Sequence, residues 1–111
     1  MKKNQFPAYS VKNVDAIRDS ASQACSMLKV LANEDRLMLL CQLTQGEKNV
    51  GELELATNIK QPTLSQQLTI LRKDEIVNIR KDGKFNYYSI ASEEVIQVMQ
   101  TLGNLYGCNT K

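Results

Sequence analysis

Three cysteines, Cys25, Cys41 and Cys108, and the complete absence of histidine bound the chemistry open to this chain of 111 residues. Without histidine no Ser-His-Asp or Cys-His nucleophile can be built, and every zinc site that needs an imidazole is excluded. The thiols stand far apart with no Cys-x-x-Cys pair, and their odd number argues against a structural disulfide framework. What remains for them is thiolate redox chemistry, capture of a soft metal by sulfur alone, or packing as small hydrophobes. Cys41 shares an apolar helical face with Leu37 and Leu40, Cys25 accompanies Ala24 and Leu28, and Cys108 stands between Gly107 and Asn109. The chain is therefore read as non-enzymatic, with no cofactor and no metal ligands assigned.

A second set of residues suits recognition rather than reaction. Between Lys60 and Lys84 six basic residues face three acidic ones, in a chain whose net charge is only +2. The same stretch carries Thr63, Ser65, Gln66 and Gln67, short or forked hydrogen-bonding side chains. Glutamine can pair bidentately with adenine, and serine or threonine can meet several base edges or a phosphate. Lys60, Arg72 and Lys84 are the cations expected to hold a phosphate backbone without reading sequence, and Arg80 is a further DNA-binding candidate. A charge run of this kind is by itself only a solvated face, so the elements around it decide its meaning.

Those elements are legible from periodicity. Residues 1–10 read as a mobile tail, and residues 11–111 as one domain. Val14, Ile17, Ala21, Ala24 and Leu28 recur at three or four residues and predict a helix running to about Val30. Asn33 is a good cap for a second helix, ended by Gly46, and Asn49 caps a short third with Leu53 and either Ala56 or Leu55 turned inward. After the turn Asn58-Ile59-Lys60, Pro62 suits the first position of a fourth helix buried along Leu64, Leu68 and Leu71. Beyond Glu75 the period becomes two. Ile76–Arg80 and Phe85–Ile90 predict two strands joined at Asp82-Gly83, read as a type I′ turn. Ser92 caps a last helix continuing through Val95, Leu102, Leu105 and Tyr106 to Cys108. The order α-α-α-α-β-β-α, mainly helical with a β-hairpin, is that of a winged helix-turn-helix. No apolar run approaches the roughly 18 residues a bilayer span needs, and the basic N-terminus lacks a following apolar stretch, so a cytoplasmic location without membrane contact is expected.

The segments Leu31-Ala32-Asn33-Glu34-Asp35-Arg36-Leu37-Met38-Leu39-Leu40, Val50-Gly51-Glu52-Leu53, Gln61–Arg72 and Arg80–Tyr88 together resemble the ArsR/SmtB family of winged-helix repressors. The resemblance covers about residues 25 to 90. It implies a homodimer built on the first and last helices that binds double-stranded operator DNA at an imperfect inverted repeat and is released by an inducer. The chain departs from the family at Gln67, where histidine is usual, and at Glu75, where glycine is usual. The family's metal sites are missing here: Val50–Leu55 has no Cys-x-Cys, and the last-helix site needs histidine. Cys41 and Cys108 instead resemble the cysteine pair of the persulfide-sensing SqrR/BigR branch. That likeness implies a dithiol switch in which reactive sulfur bridges the two and operator DNA is released. The alternatives are a metal-responsive repressor with a cysteine-only site and a redox-sensitive antiactivator competing with another DNA-binding regulator.

Overall fold

The computed structural model describes residues 13–107. The expected tail at 1–10 and Cys108 lie outside them. The elements are α1 (Val14–Leu31), α2 (Glu34–Leu43), β1 (Lys48–Asn49), α3 (Val50–Thr57), α4 (Thr63–Lys73), β2 (Val77–Asp82), β3 (Phe85–Ile90) and α5 (Glu93–Tyr106). This is the expected winged-helix order with one addition, the two-residue strand β1. It pairs antiparallel with β3, Lys48 opposite Tyr88 and Asn49 opposite Tyr87, so the wing is a three-stranded sheet in the order β1-β3-β2. Two residues carry too little alternation to announce a strand; the pairing exists because β3 leaves one edge open beside them.

The caps explain where the helices start. Asn13, Asn33 and Ser92 accept from the backbone N–H groups of Ala16, Arg36 and Val95. Asn49 and Glu52 form a reciprocal capping box on α3. α2 ends at Leu43, and Gly46, with a φ of 134°, completes the turn three residues later. α5 ends at Tyr106, closed by Gly107 in the left-handed region, rather than continuing to Cys108.

Leu39, Leu40, Leu53, Leu64, Leu68, Leu71 and Val95 are sealed from solvent and form the centre of the core, with Leu31, Leu43, Ile59, Ile76, Val77 and Met99 around them. The expected ridge of α4 is therefore the buried one. On α3 only Leu53 of the apolar candidates turns in; Ala56 is exposed and Leu55 is 88% exposed. α1 behaves differently from the other helices. Among the described residues it joins the core through Met27, Val30 and Leu31 at its C-terminal end, while Val14, Ala21, Ala24 and Leu28 of its apolar stripe stay exposed.

Candidate nucleic-acid interface

α3, the turn and α4 are locked together from below. The αL residue Asn58, with a φ of 61°, stops α3. Thr57 is buried and fully bonded: its Oγ1 donates to the Leu53 carbonyl at 2.7 Å and accepts from the Ile59 N–H at 3.2 Å. Burial of Ile59 and Leu64 then fixes the crossing of the two helices. Since residues 64, 68 and 71 face the core, 66 lies on the opposite side of the cylinder. Ser65 and Gln66 are exposed, Thr63 is half-buried at the first turn, and Arg72 is exposed in the last. Lys60 is exposed in the turn, 3.7 Å from Glu54. An ion pair in that much solvent contributes little and leaves the ammonium available.

The C-terminal end of α4 is held by a Schellman motif. The Ile76 N–H donates to the Leu71 carbonyl and the Glu75 N–H to the Arg72 carbonyl, both at 2.9 Å. Glu75 takes a φ of 61°, the left-handed conformation for which glycine is favoured. The glutamate thus preserves the family's helix-ending geometry by adopting the backbone that glycine would.

The wing follows. Asp82 pairs with Phe85, so the two-residue loop is Gly83-Lys84, one position later than expected. Gly83 has a φ of 63° and Lys84 does not share the positive region, so the turn is not type I′, which needs both. Lys84 and Phe85 are exposed at the wing tip. Arg80, a DNA-binding candidate, also holds partners within the fold. Its Nε and Nη2 form a bidentate fork with Glu47 at 2.9 and 2.8 Å, its Nη1 lies 3.6 Å from Asp82, and the guanidinium stacks over the Tyr87 ring at 4.8 Å. The fork lowers the Glu47 carboxyl below its ordinary range and pushes the Arg80 pKa further up. Arg80 braces the wing against the loop after α2.

Gln67 is also less free than its sequence position suggests. Half-buried on the flank of α4, its Oε1 accepts from Arg36 Nη1 of α2 at 2.9 Å. Neither Arg36 nor Glu47 stands out in the sequence, because their partners are 31 and 33 residues away. Gln61 escapes a sequence reading for another reason. Pro62 caps α4 without a side-chain bond, and Gln61 Oε1 supplies one by accepting from the Ser65 N–H at 3.0 Å.

Cys41 is half-buried against the core on α2 and is disulfide-bonded; Cys25 is a free, exposed thiol on α1. Among the described residues no three carboxylates or thiols gather in a way that could hold a metal ion, and no helix is long and apolar enough to cross a membrane.

A polar helix face seated on a helix-turn-helix and flanked by a β-hairpin defines a winged helix-turn-helix DNA-binding protein. The profile of bacterial regulatory proteins of the arsR family matches residues 33–78. A biofilm growth-associated repressor of Agrobacterium fabrum is 44% identical over 78% of this chain and 74% of its own length. The transcriptional activator HlyU of Vibrio cholerae is 38% identical over 85% of this chain and 87% of its own. The crystal structure of the transcriptional repressor BigR from Xylella fastidiosa superposes with a TM-score of 0.78 at 38% identity, covering 83% of this chain and 94% of that one. The chain belongs to the ArsR family: it is a DNA-binding transcription regulator and not an enzyme.

Proposed function

We propose that this chain represses transcription as a homodimer on an imperfect inverted repeat, and that persulfide sulfur bridging Cys41 and Cys108 releases it. The observation that carries the DNA-binding geometry is the burial of Leu64, Leu68 and Leu71 beneath an exposed Ser65 and Gln66, which leaves the polar face of α4 clear for a major groove. Lys60, Arg72 and Lys84 flank that face as phosphate contacts, and Thr63 starts it. Arg80 contributes through the posture of the wing. Dimerisation is supported by the uncovered apolar residues of the terminal helices, Leu28 at 56% exposure on α1 and Leu105 and Tyr106 at 67% and 82% on α5.

The switch reading is supported by the contrast between Cys41, which is disulfide-bonded, and Cys25, which is a free thiol. One cysteine thiolate attacks the sulfane sulfur of a low-molecular-weight persulfide, forming a protein persulfide and expelling the carrier as thiol. The second cysteine thiolate attacks the inner sulfur, closing the disulfide and expelling hydrosulfide. The two cysteines are oxidised and the sulfane sulfur is reduced, so the reaction balances without a further oxidant. A trisulfide bridge consumes a second persulfide. Bridging ties the end of the chain to α2 and biases the dimer away from the operator-binding arrangement.

Intact-protein mass spectrometry after glutathione persulfide, run beside an operator titration at fixed salt, tests this. Loss of two hydrogens, or a gain of sulfur between Cys41 and Cys108, with weakened binding that Cys41→Ser and Cys108→Ser abolish, supports the switch. Unchanged mass and binding return both cysteines to packing. The relation to a protein named a transcriptional activator favours a second reading, in which the chain raises transcription rather than repressing it. Repression by the purified protein in a reconstituted transcription reaction would eliminate it.

A further inference from the structure

The last four carbonyls of a helix have no partner within it. In α1 all four are satisfied, and half of them by one side chain. Leu28 O accepts from the Ala32 N–H at 2.9 Å and Leu31 O from the Asn33 N–H at 2.8 Å. Val30 O accepts from Arg36 Nε at 2.6 Å and Lys29 O from Arg36 Nη2 at 3.4 Å. The third arm of the same guanidinium, Nη1, holds Gln67 Oε1 at 2.9 Å. Arg36 therefore caps α1, sits on α2 and grips the recognition helix α4 at once. A guanidinium has donors only, so the chemistry itself turns the Gln67 carbonyl towards Arg36. That bond holds one lone pair of the Gln67 oxygen and turns the amide towards Arg36, away from the pose of a bidentate adenine pair.

We infer that Arg36, acting through Gln67, is the positioning residue that sets the recognition helix relative to the dimer helices, and so fixes the spacing of operator half-sites. The inference rests on the operator-binding reading above. Among the described residues, α1 contributes Met27, Val30 and Leu31 to the core, all at the end that Arg36 grips, and most of the helix before them is exposed. A helix of 18 residues is about 27 Å long. A swing of about 10° at one end displaces the other by about 5 Å, more than the 3.4 Å that separates successive base pairs. A planar three-armed clasp of charge-assisted bonds resists that swing in a way that apolar contacts at a single turn do not. The unsatisfied work of reading bases on this side of α4 then falls to Gln66, which points away from the core.

The test begins with wild-type protein selecting duplexes from a random library, to define the inverted repeat. Duplexes with one base pair added to or removed from the centre are then titrated at fixed salt. The wild type should lose about tenfold or more in affinity for either change, because each base pair also rotates one half-site by about 35°. Gln67→Met and Arg36→Lys, which keep bulk or charge but break the clasp, should shrink that penalty to about threefold or less with half-site base preference unchanged. Gln67→Glu keeps an acceptor for Arg36; it should bind every duplex more weakly yet restore the wild-type spacing ratio. Melting curves identify any variant that does not fold, and Gln67→Met carries the test alone if Arg36→Lys fails. A wild-type spacing ratio in Gln67→Met overturns the inference, as does a changed base preference at one half-site position, which would make Gln67 a reader. Failure of the wild type to select any inverted repeat would defeat the operator-binding reading instead.

Discussion

Replacing Glu75 with glycine should stabilise the protein without altering how α4 meets the wing. Glu75 is the residue just past the cap of α4, with a φ of 61°, and it is exposed. An L-residue in the left-handed region costs about 1–2 kcal/mol relative to one without a Cβ. Glycine recovers that cost but adds chain entropy to the unfolded state, which offsets about 0.5–1 kcal/mol. The balance favours Glu75→Gly by about 0.5–1 kcal/mol, a rise in Tm of about 2–4 °C for a domain of this length. Differential scanning calorimetry at matched protein concentration reads it directly, since the proposed dimer would make Tm concentration-dependent. Glu75→Ala is the control: it removes the carboxylate but keeps the Cβ, so it should leave Tm within about 1 °C of the wild type. Equal gains from glycine and alanine would show that the charge, not the backbone, is the source. No gain from glycine would refute the strain argument outright.

Leu68→Ala, in the sealed ridge of α4, should cost about 2–5 kcal/mol by urea unfolding and take operator binding with it. Lys84→Ala should weaken binding to all duplexes alike and flatten the logarithmic salt dependence by about one unit for each phosphate that Lys84 neutralises in the wild type; a change in base preference instead would contradict a backbone role. The fork from Arg80 holds Glu47 below its ordinary value of 4.5, so its folded-state pKa is depressed. The stabilisation it brings is present above the ordinary carboxylate range and is lost as pH falls through the lowered value. Hydrogen-exchange protection across β2 and β3, corrected for intrinsic exchange rates, should therefore hold down to about pH 5 and fall below the carboxylate range, and Glu47→Gln should remove that pH dependence.

How much of this is legible in the sequence follows from how far apart the interacting residues lie. The ridge Leu64, Leu68 and Leu71, the caps Asn33, Asn49 and Ser92, and the hairpin itself announce themselves over three to ten residues, because helix period, cap chemistry and strand alternation are local properties. The polar set on α4 is legible in the same way, and Ser65 and Gln66 are exposed as their spacing requires. The placement of Leu55 is not: the pattern offers it or Ala56 to the core, and both stay exposed because the core meets α3 along the face of Leu53. The hairpin turn falls one residue later than expected because strand pairing from Val77 to Ile90 sets the register, and Gly83 then takes the first loop position. The bonds of Arg80 to Glu47 and of Gln67 to Arg36 are invisible in the sequence. A sequence states which side chains can donate and accept. Only the folded chain, by bringing together groups some thirty residues apart at under 3 Å, decides which of those donors and acceptors are already taken.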